Sequence, residues 1–420
     1  MPSFQIEGGV PLKGDVQVGG SKNAALPLMA ACLLTREPVR LRRVPRTSDI
    51  GNMVKVLQAL GMSVEWSGAE TLDLRVTDEQ SYTAPRDITE AMRGSICVLG
   101  PLLARRNAAQ MAQPGGCKIG ERPVGAHLSG FEALGARVDE TDTTITVSAR
   151  RLRGAEVDMS VPSGSTVLGT ANVLCAAILA RGRTVIRHAA REPEIQDLAA
   201  LLNHLGASVR GAGTSDIEVD GVEELHGGDF EIIPDRIEAG TLVIAAAITG
   251  GDVRIDGMCG AHLGVVFDVL TQMGVLMAED GAGCRVRGTG RFRAADVVTR
   301  PFPGFPTDMQ AQVTALMCLA EGASHVRETI FPQRFWHVAE LRRMGARIEQ
   351  SGAEATILGV ERLHGASVCA SDLRASAGLL LAALAADGRT EIRDIHHIDR
   401  GYEQIENKLR SLGARIRRVE

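Results

Sequence analysis

Cys117 sits in Pro114-Gly115-Gly116-Cys117-Lys118-Ile119-Gly120-Glu121-Arg122, where one proline and three glycines favour a loop over a helix or strand. Positive charge beside a thiol lowers its pKa and raises its reactivity, so Lys118 and Arg122 mark Cys117 as the chemically distinctive cysteine. Other charged residues stand in turns that feed apolar stretches. In Gly19-Gly20-Ser21-Lys22-Asn23, Ser21 is placed to cap a helix and Lys22 falls at its positive end. A cation there opposes the helix dipole, which a bound anion would explain. Arg93 opens a second apolar stretch in Met92-Arg93-Gly94-Ser95. Asp308 opens a third in Phe305-Pro306-Thr307-Asp308-Met309-Gln310, where the ordinary reading is an N-terminal cap. Arg334 follows in Gln333-Arg334-Phe335-Trp336, Asp372 and Arg374 in Ser371-Asp372-Leu373-Arg374, and Arg400 in His396-His397-Ile398-Asp399-Arg400-Gly401-Tyr402. Cations recurring at equivalent places would converge on a cleft and hold a phosphate and a carboxylate. The His396-His397 pair has no further ligand at metal spacing, so no metal site is expected.

The elements that must position these residues follow from a repeat. Leu60-Gly61-Met62-Ser63-Val64 returns as Leu134-Gly135, Leu205-Gly206, Met273-Gly274, Met344-Gly345 and Leu412-Gly413, each followed by a strand-like run. The six glycines lie roughly 70 residues apart, the signature of six copies of one supersecondary unit. In each, an amphipathic helix ends on Leu or Met, glycine takes the left-handed position, and a strand begins. Upstream lies a helix of small apolar residues, such as Ala24–Leu34 or Ala375–Ala386, apolar on every face and therefore buried. The unit reads β-α-β-α-β-β. Six units make two domains of three, predicted as residues 21–229 and as 1–20 with 230–420, the N-terminal strands completing the second. A cleft between two lobes is a usual substrate site.

Composition bounds the rest. The chain has 420 residues, 45% hydrophobic and 23% charged, the mix of a globular protein. A formal net charge of −5 and 3% aromatics supply neither the field nor the stacking platforms for nucleic acid. The apolar runs are too short to span a membrane, and the N-terminus lacks the pattern of a signal peptide. Eight cysteines without C-x-x-C spacing point away from a disulfide framework and toward a reducing, cytoplasmic setting.

The motifs together resemble the UDP-N-acetylglucosamine enolpyruvyl transferase family, whose members catalyse the first committed step of peptidoglycan precursor synthesis. They are G-G-S-K-N-A-A-L, P-G-G-C-x-I-G-x-R-P, A-R-E-P-E at Ala190–Glu194, P-D-R-I-E at Pro234–Glu238, F-P-T-D-M-Q-A-Q, D-L-R-A-S and H-I-D-R-G-Y. They run through essentially the whole chain. The sister family acting on shikimate phosphate lacks the cysteine loop. The resemblance implies a two-domain inside-out α/β barrel of six units. It also implies transfer of the enolpyruvyl group of phosphoenolpyruvate to a hydroxyl of a uridine nucleotide or nucleotide sugar, releasing phosphate. No metal, cofactor or obligate protein partner is implied.

By the same resemblance, Cys117 protonates or captures phosphoenolpyruvate and is the residue alkylated by fosfomycin, and Asp308 is the base beside the acceptor hydroxyl. Lys22, Arg122 and Arg400 hold phosphoenolpyruvate, with Arg93, Arg334, Asp372 and Arg374 alongside. Asn23, Pro123, Val124, Gly125, Ala126, Ser163, Gly164 and Ile330 fall at acceptor-binding positions, together with Arg93, Arg122, Asp308 and Asp372.

Two places depart from the family. Its usual R-P-V-D-L-H reads Arg122-Pro123-Val124-Gly125-Ala126-His127 here, and its P-S-V-G-A-T-E-N reads Pro162-Ser163-Gly164-Ser165-Thr166-Val167-Leu168. A carboxylate and part of an apolar wall are gone where only the acceptor would feel it. Two acceptors therefore stay open: UDP-N-acetylglucosamine, or another nucleotide such as uridine monophosphate, as in nucleoside-antibiotic synthesis. A catalytically silent binding relative is a third reading, weakened by the intact Cys117, Asp308, Lys22, Arg122 and Arg400.

Overall fold

A computed structural model describes residues 2–115 and 124–420. All six repeat glycines, Gly61, Gly135, Gly206, Gly274, Gly345 and Gly413, take positive φ between 81° and 100°. This is the left-handed turn that ends an amphipathic helix and that side chains resist. The helices they terminate are Ser48–Ala59, Gly125–Ala133, Pro193–His204, Gly264–Gln272, Trp336–Arg343 and Ile405–Ser411. A strand follows each of them, within three residues of the glycine.

The chain divides into two compact units, residues 20–115 with 124–233, and residues 2–19 with 234–420. In the first, the apolar helix Val167–Ile178 packs on both Lys22–Ala31 and Leu99–Arg106, and Lys22–Ala31 also meets the turn Arg93–Val98. In the second, Arg236–Ile248, Gln310–Met317 and Leu373–Ala385 pack on one another. Leu28, Leu102 and Leu174 in one, and Ile244, Leu316 and Leu380 in the other, are almost wholly shielded from water. Each such side chain contributes about 1.5–3 kcal/mol.

Sheets surround each trio of helices with one recurring plan. An edge strand pairs parallel to the next, followed by two antiparallel pairings, as in Asp296–Val298, Ala323–Arg327, Glu354–Leu358 and Arg347–Ser351. The sheet built on Ala108–Ala112 has three strands, its edge place taken by a single bridge from Thr83 to Gln110.

Two strand places, one at an edge and one inside a sheet, are filled from far away in sequence. Strand Lys13–Gln17 runs parallel to Asp252–Asp256, and Ser3–Glu7 lies antiparallel between Arg389–Arg393 and Arg415–Val419. Phe4 and Ile6 point inward, fully buried. The predicted boundary at residue 229 is corrected to 233. Strand Gly228–Glu231 pairs parallel to Val39–Arg42, so its backbone bonds hold it in the first unit.

Candidate functional site

In the unit of residues 2–19 and 234–420, the short turn Thr307–Met309 leads into the helix Gln310–Met317. The expected role of Asp308 as a helix cap is not what forms: the capping position is Met309, without a side-chain bond. Asp308 faces two arginines instead. Its Oδ1 accepts from Arg334 Nη1 at 2.8 Å, and its Oδ2 from Arg374 Nη2 at 2.9 Å. Charge-assisted bonds of this length outweigh a cap to a backbone N–H. The arginine side chains are 8% and 3% exposed, whereas that of Asp308 is 27% exposed. The carboxylate is thus the accessible member of the cluster.

Arg374 owes its place to Asp372, which caps the helix Leu373–Ala385 by accepting from the Arg374 and Ala375 N–H groups at 2.9 and 3.1 Å. Burial opposes the Arg374 charge, but Asp308, Tyr402 and Asp235 together hold its pKa above the ordinary value. The Arg374 guanidinium lies 5.6 Å from the centre of the Tyr402 ring. Tyr402 shares its hydroxyl with Thr241 at 2.9 Å, and Gln312 Nε2 donates to the Asp308 carbonyl at 2.9 Å. Ile330 N–H donates to Glu328 at 2.8 Å, and Arg400 follows the short helix His396–Asp399.

In the other unit, Ser21 caps the helix that starts at Lys22, accepting from Ala24 N–H at 3.2 Å. Lys22 is buried, and its Nζ reaches Asp49 Oδ2 at 3.3 Å. The anion inferred for Lys22 is therefore supplied in part by the chain itself. Asp49 was legible only as a first-turn acid, although Thr47 already fills the cap of that helix. Asn23 lies in the same first turn, half-buried.

Arg93 Nη1 donates to the Pro114 carbonyl at 3.3 Å, and Gly115 N–H to the Thr89 carbonyl at 3.2 Å. A Cβ on Gly115 would lie 1.8 Å from the Glu90 carbonyl oxygen, so only glycine fits there. Cys117, Arg122 and Pro123 lie outside the described residues.

Val124 is buried and Gly125 begins a helix, exposed, with no other described residue within 4 Å of where a Cβ would stand. Ala126 is half-buried. Pro162 and Ser163 form the tip of a hairpin between Ser160–Val161 and Gly164–Ser165, Gly164 pairs with Val161, and Thr166 then caps the helix Val167–Ile178. Sequence reading passed over Asn172, which is fully buried. It accepts from Gly100 N–H at 2.8 Å, donates to the Ile96 carbonyl at 3.0 Å, and meets His127 Nδ1 at 3.0 Å. Its amide supplies the donor in that contact, which assigns the His127 proton to Nε2.

Most of the described thiols are poorly suited to chemistry. Burial pushes Cys32, Cys97 and Cys318 up to about 12. Cys369, bonded to Asp394 and then desolvated, is pushed to about 11. Among the described residues no group of His, Cys, Asp and Glu is arranged to hold a metal ion, and no helix is long and apolar enough to cross a membrane.

Residues 6–409 match the profile of EPSP synthase (3-phosphoshikimate 1-carboxyvinyltransferase). The UDP-N-acetylglucosamine 1-carboxyvinyltransferase of Nitratidesulfovibrio vulgaris strain Hildenborough is 51% identical over 419 residues, covering 100% of this chain and 99% of that protein. The chain belongs to the UDP-N-acetylglucosamine 1-carboxyvinyltransferase family. It is an enolpyruvyl transferase. The enzyme of that name from Solibacter usitatus is 50% identical over 422 residues, with both chains covered fully. Among solved structures, the enolpyruvyl transferase NikO from Streptomyces tendae superposes with a TM-score of 0.89 at 28% identity, over 100% of this chain and 99% of that one. EPSP synthase from Acinetobacter baumannii, at 18% identity and a TM-score of 0.77 over the full length of both chains, shares the fold.

Proposed function

We propose that the transferase moves the enolpyruvyl group of phosphoenolpyruvate to a hydroxyl of UDP-N-acetylglucosamine. The observation that carries the reading is Asp308, a carboxylate accessible on one side and fixed on the other by Arg334 and Arg374.

In the proposed route the acceptor oxygen bonds to C2 of phosphoenolpyruvate while C3 gains a proton. This gives a tetrahedral adduct that keeps its phosphate. C3 then loses a proton, the C2–O bond to phosphate breaks, and the enol ether is left. Asp308 takes the hydroxyl proton. Arg334 and Arg374 hold that carboxylate in place from its buried side. Cys117 serves C3, while Lys22, Arg93, Arg122 and Arg400 hold the carboxylate and phosphate. Asn23 and residues 123–126, with Ser163, Gly164, Ile330 and Asp372, hold the acceptor. The reaction as written consumes no redox equivalent and needs no cofactor, and its partners are small molecules.

A second acceptor is favoured by one observation: Gly125 stands where the family carries a carboxylate, and among the described residues nothing fills the place of that side chain. A shorter nucleotide such as uridine monophosphate fits that reading. The identity of about half with UDP-N-acetylglucosamine 1-carboxyvinyltransferases over the full chain favours the sugar nucleotide. Phosphate release from phosphoenolpyruvate decides between them. Turnover with UDP-N-acetylglucosamine is expected; turnover with uridine monophosphate alone would reverse the choice.

A further inference from the structure

Glu328 is 1% exposed, and the four donors found on its carboxylate are all neutral. Its Oε1 accepts from Thr299 Oγ1 at 2.7 Å, Ile330 N at 2.8 Å and Phe331 N at 3.0 Å. Its Oε2 accepts from Thr307 Oγ1 at 2.8 Å. A buried carboxylate is costly unless its surroundings need an acceptor at several points at once. Here they do, and the direction of each bond follows from counting protons.

Thr307 Oγ1 accepts from Arg334 Nη1 at 3.0 Å. Its single hydroxyl proton is therefore free for Glu328, and a carboxylate can only accept it. The same Nη1 carries a second proton, which goes to Asp308 Oδ1 at 2.8 Å. The order is Asp308 from Arg334, Arg334 onto Thr307, and Thr307 onto Glu328. Oε1 meanwhile ties down the backbone at residues 330 and 331, a few residues before Arg334. Glu328 thus fixes both the rotor that Arg334 leans on and the segment that carries Arg334.

We propose that Glu328 is a positioning residue that, through the Thr307 hydroxyl, aims Arg334 at Asp308 and so sets the orientation of the carboxylate facing the acceptor. The role rests on the proposed assignment of Asp308. Glu328 touches no substrate. An amide at 328 would turn a donor toward one of four donors, and a valine at 307 would leave Arg334 Nη1 and Glu328 Oε2 without their shared hydroxyl.

The test is a cycle of Glu328→Gln, Thr307→Val and the double variant, with Thr307→Ser as the rescue, measured as kcat and KM in phosphate release. Each single loss should lower kcat by about 10²-fold, since small misplacements cost this much, with KM changed by less than about threefold. The double variant should be no worse than Glu328→Gln alone, because the Thr307 route runs through Glu328. Thr307→Ser should restore most of kcat. Multiplying losses in the double variant, unchanged kcat in Thr307→Val, or equal loss in Thr307→Ser and Thr307→Val would each overturn the role. Should Glu328→Gln fail to fold by circular dichroism, the Val and Ser variants at 307 still decide. An inert wild type overturns the reaction and the role together, whereas an active wild type with active variants overturns the role alone.

Discussion

Arg374 and Asp308 are 66 residues apart in sequence and joined by a 2.9 Å bond between Nη2 and Oδ2, with the guanidinium buried and the carboxylate partly open. Breaking this pair from the acid side leaves two buried guanidiniums facing one another. Asp308→Ala should cost about 3–5 kcal/mol of stability, as for other broken buried pairs, as well as activity. Asp308→Asn keeps the shape and should lose turnover by about 10²-fold or more while melting closer to wild type. Calorimetry and phosphate release on both variants check this. An asparagine variant with wild-type turnover would remove Asp308 from the chemistry.

Lys22 and Asp49 make the corresponding test in the other unit. Asp49→Ala removes the anion that neutralises a buried ammonium at a helix N-terminus. The variant should be destabilised by about 3–5 kcal/mol. If Lys22 also holds phosphoenolpyruvate, saturating phosphoenolpyruvate should raise the melting temperature of Asp49→Ala more than that of wild type. An equal shift in both proteins would show that Lys22 does not meet the substrate.

Asp197 gives a pH dependence with a defined sign. It is buried and accepts from Ile233 N–H at 3.2 Å. Desolvation, with Glu194 nearby, raises it to about 7 from a carboxylate's ordinary value. A raised folded-state pKa favours folding while the group is protonated. The contribution is complete below the unfolded pKa of about 3.9 and is lost as pH rises through about 7. Asp197→Asn should therefore gain several degrees in melting temperature at pH 8 and clearly less at pH 5. A gain at pH 5 equal to that at pH 8 would remove the titration from the explanation.

Cys117 should be the thiol that fosfomycin modifies. Six of the seven described cysteines have pKa values raised above the ordinary thiol, which leaves little thiolate at neutral pH. Opening of the epoxide by the thiolate adds the whole reagent, so intact-mass spectrometry should show one increment, absent in Cys117→Ser. An adduct that survives in Cys117→Ser would move the reactive thiol elsewhere, Cys259 being the first to examine.

The sequence alone determined the repeat and the fold class, because the Leu-Gly phrase is a local event. A helix ending on a positive-φ glycine is decided within a few residues, and it recurs six times. The charged candidates were legible for a similar reason: Lys22, Asp308, Arg334 and Arg374 stand at element starts or in turns, where apolar patterning is interrupted. What they bind to was not legible. Asp308 read as a cap because caps are local, whereas its real partners lie 26 and 66 residues away. Asp49 and Glu328 stand out in no sequence pattern; only the folded chain shows that one neutralises Lys22 and the other gathers four donors. The strand Gly228–Glu231 was likewise cut at residue 229, because parallel pairing to Val39–Arg42 leaves no local trace. Local turns and periodicity are written in neighbouring residues; desolvation and long-range pairing exist only once the chain has closed around them.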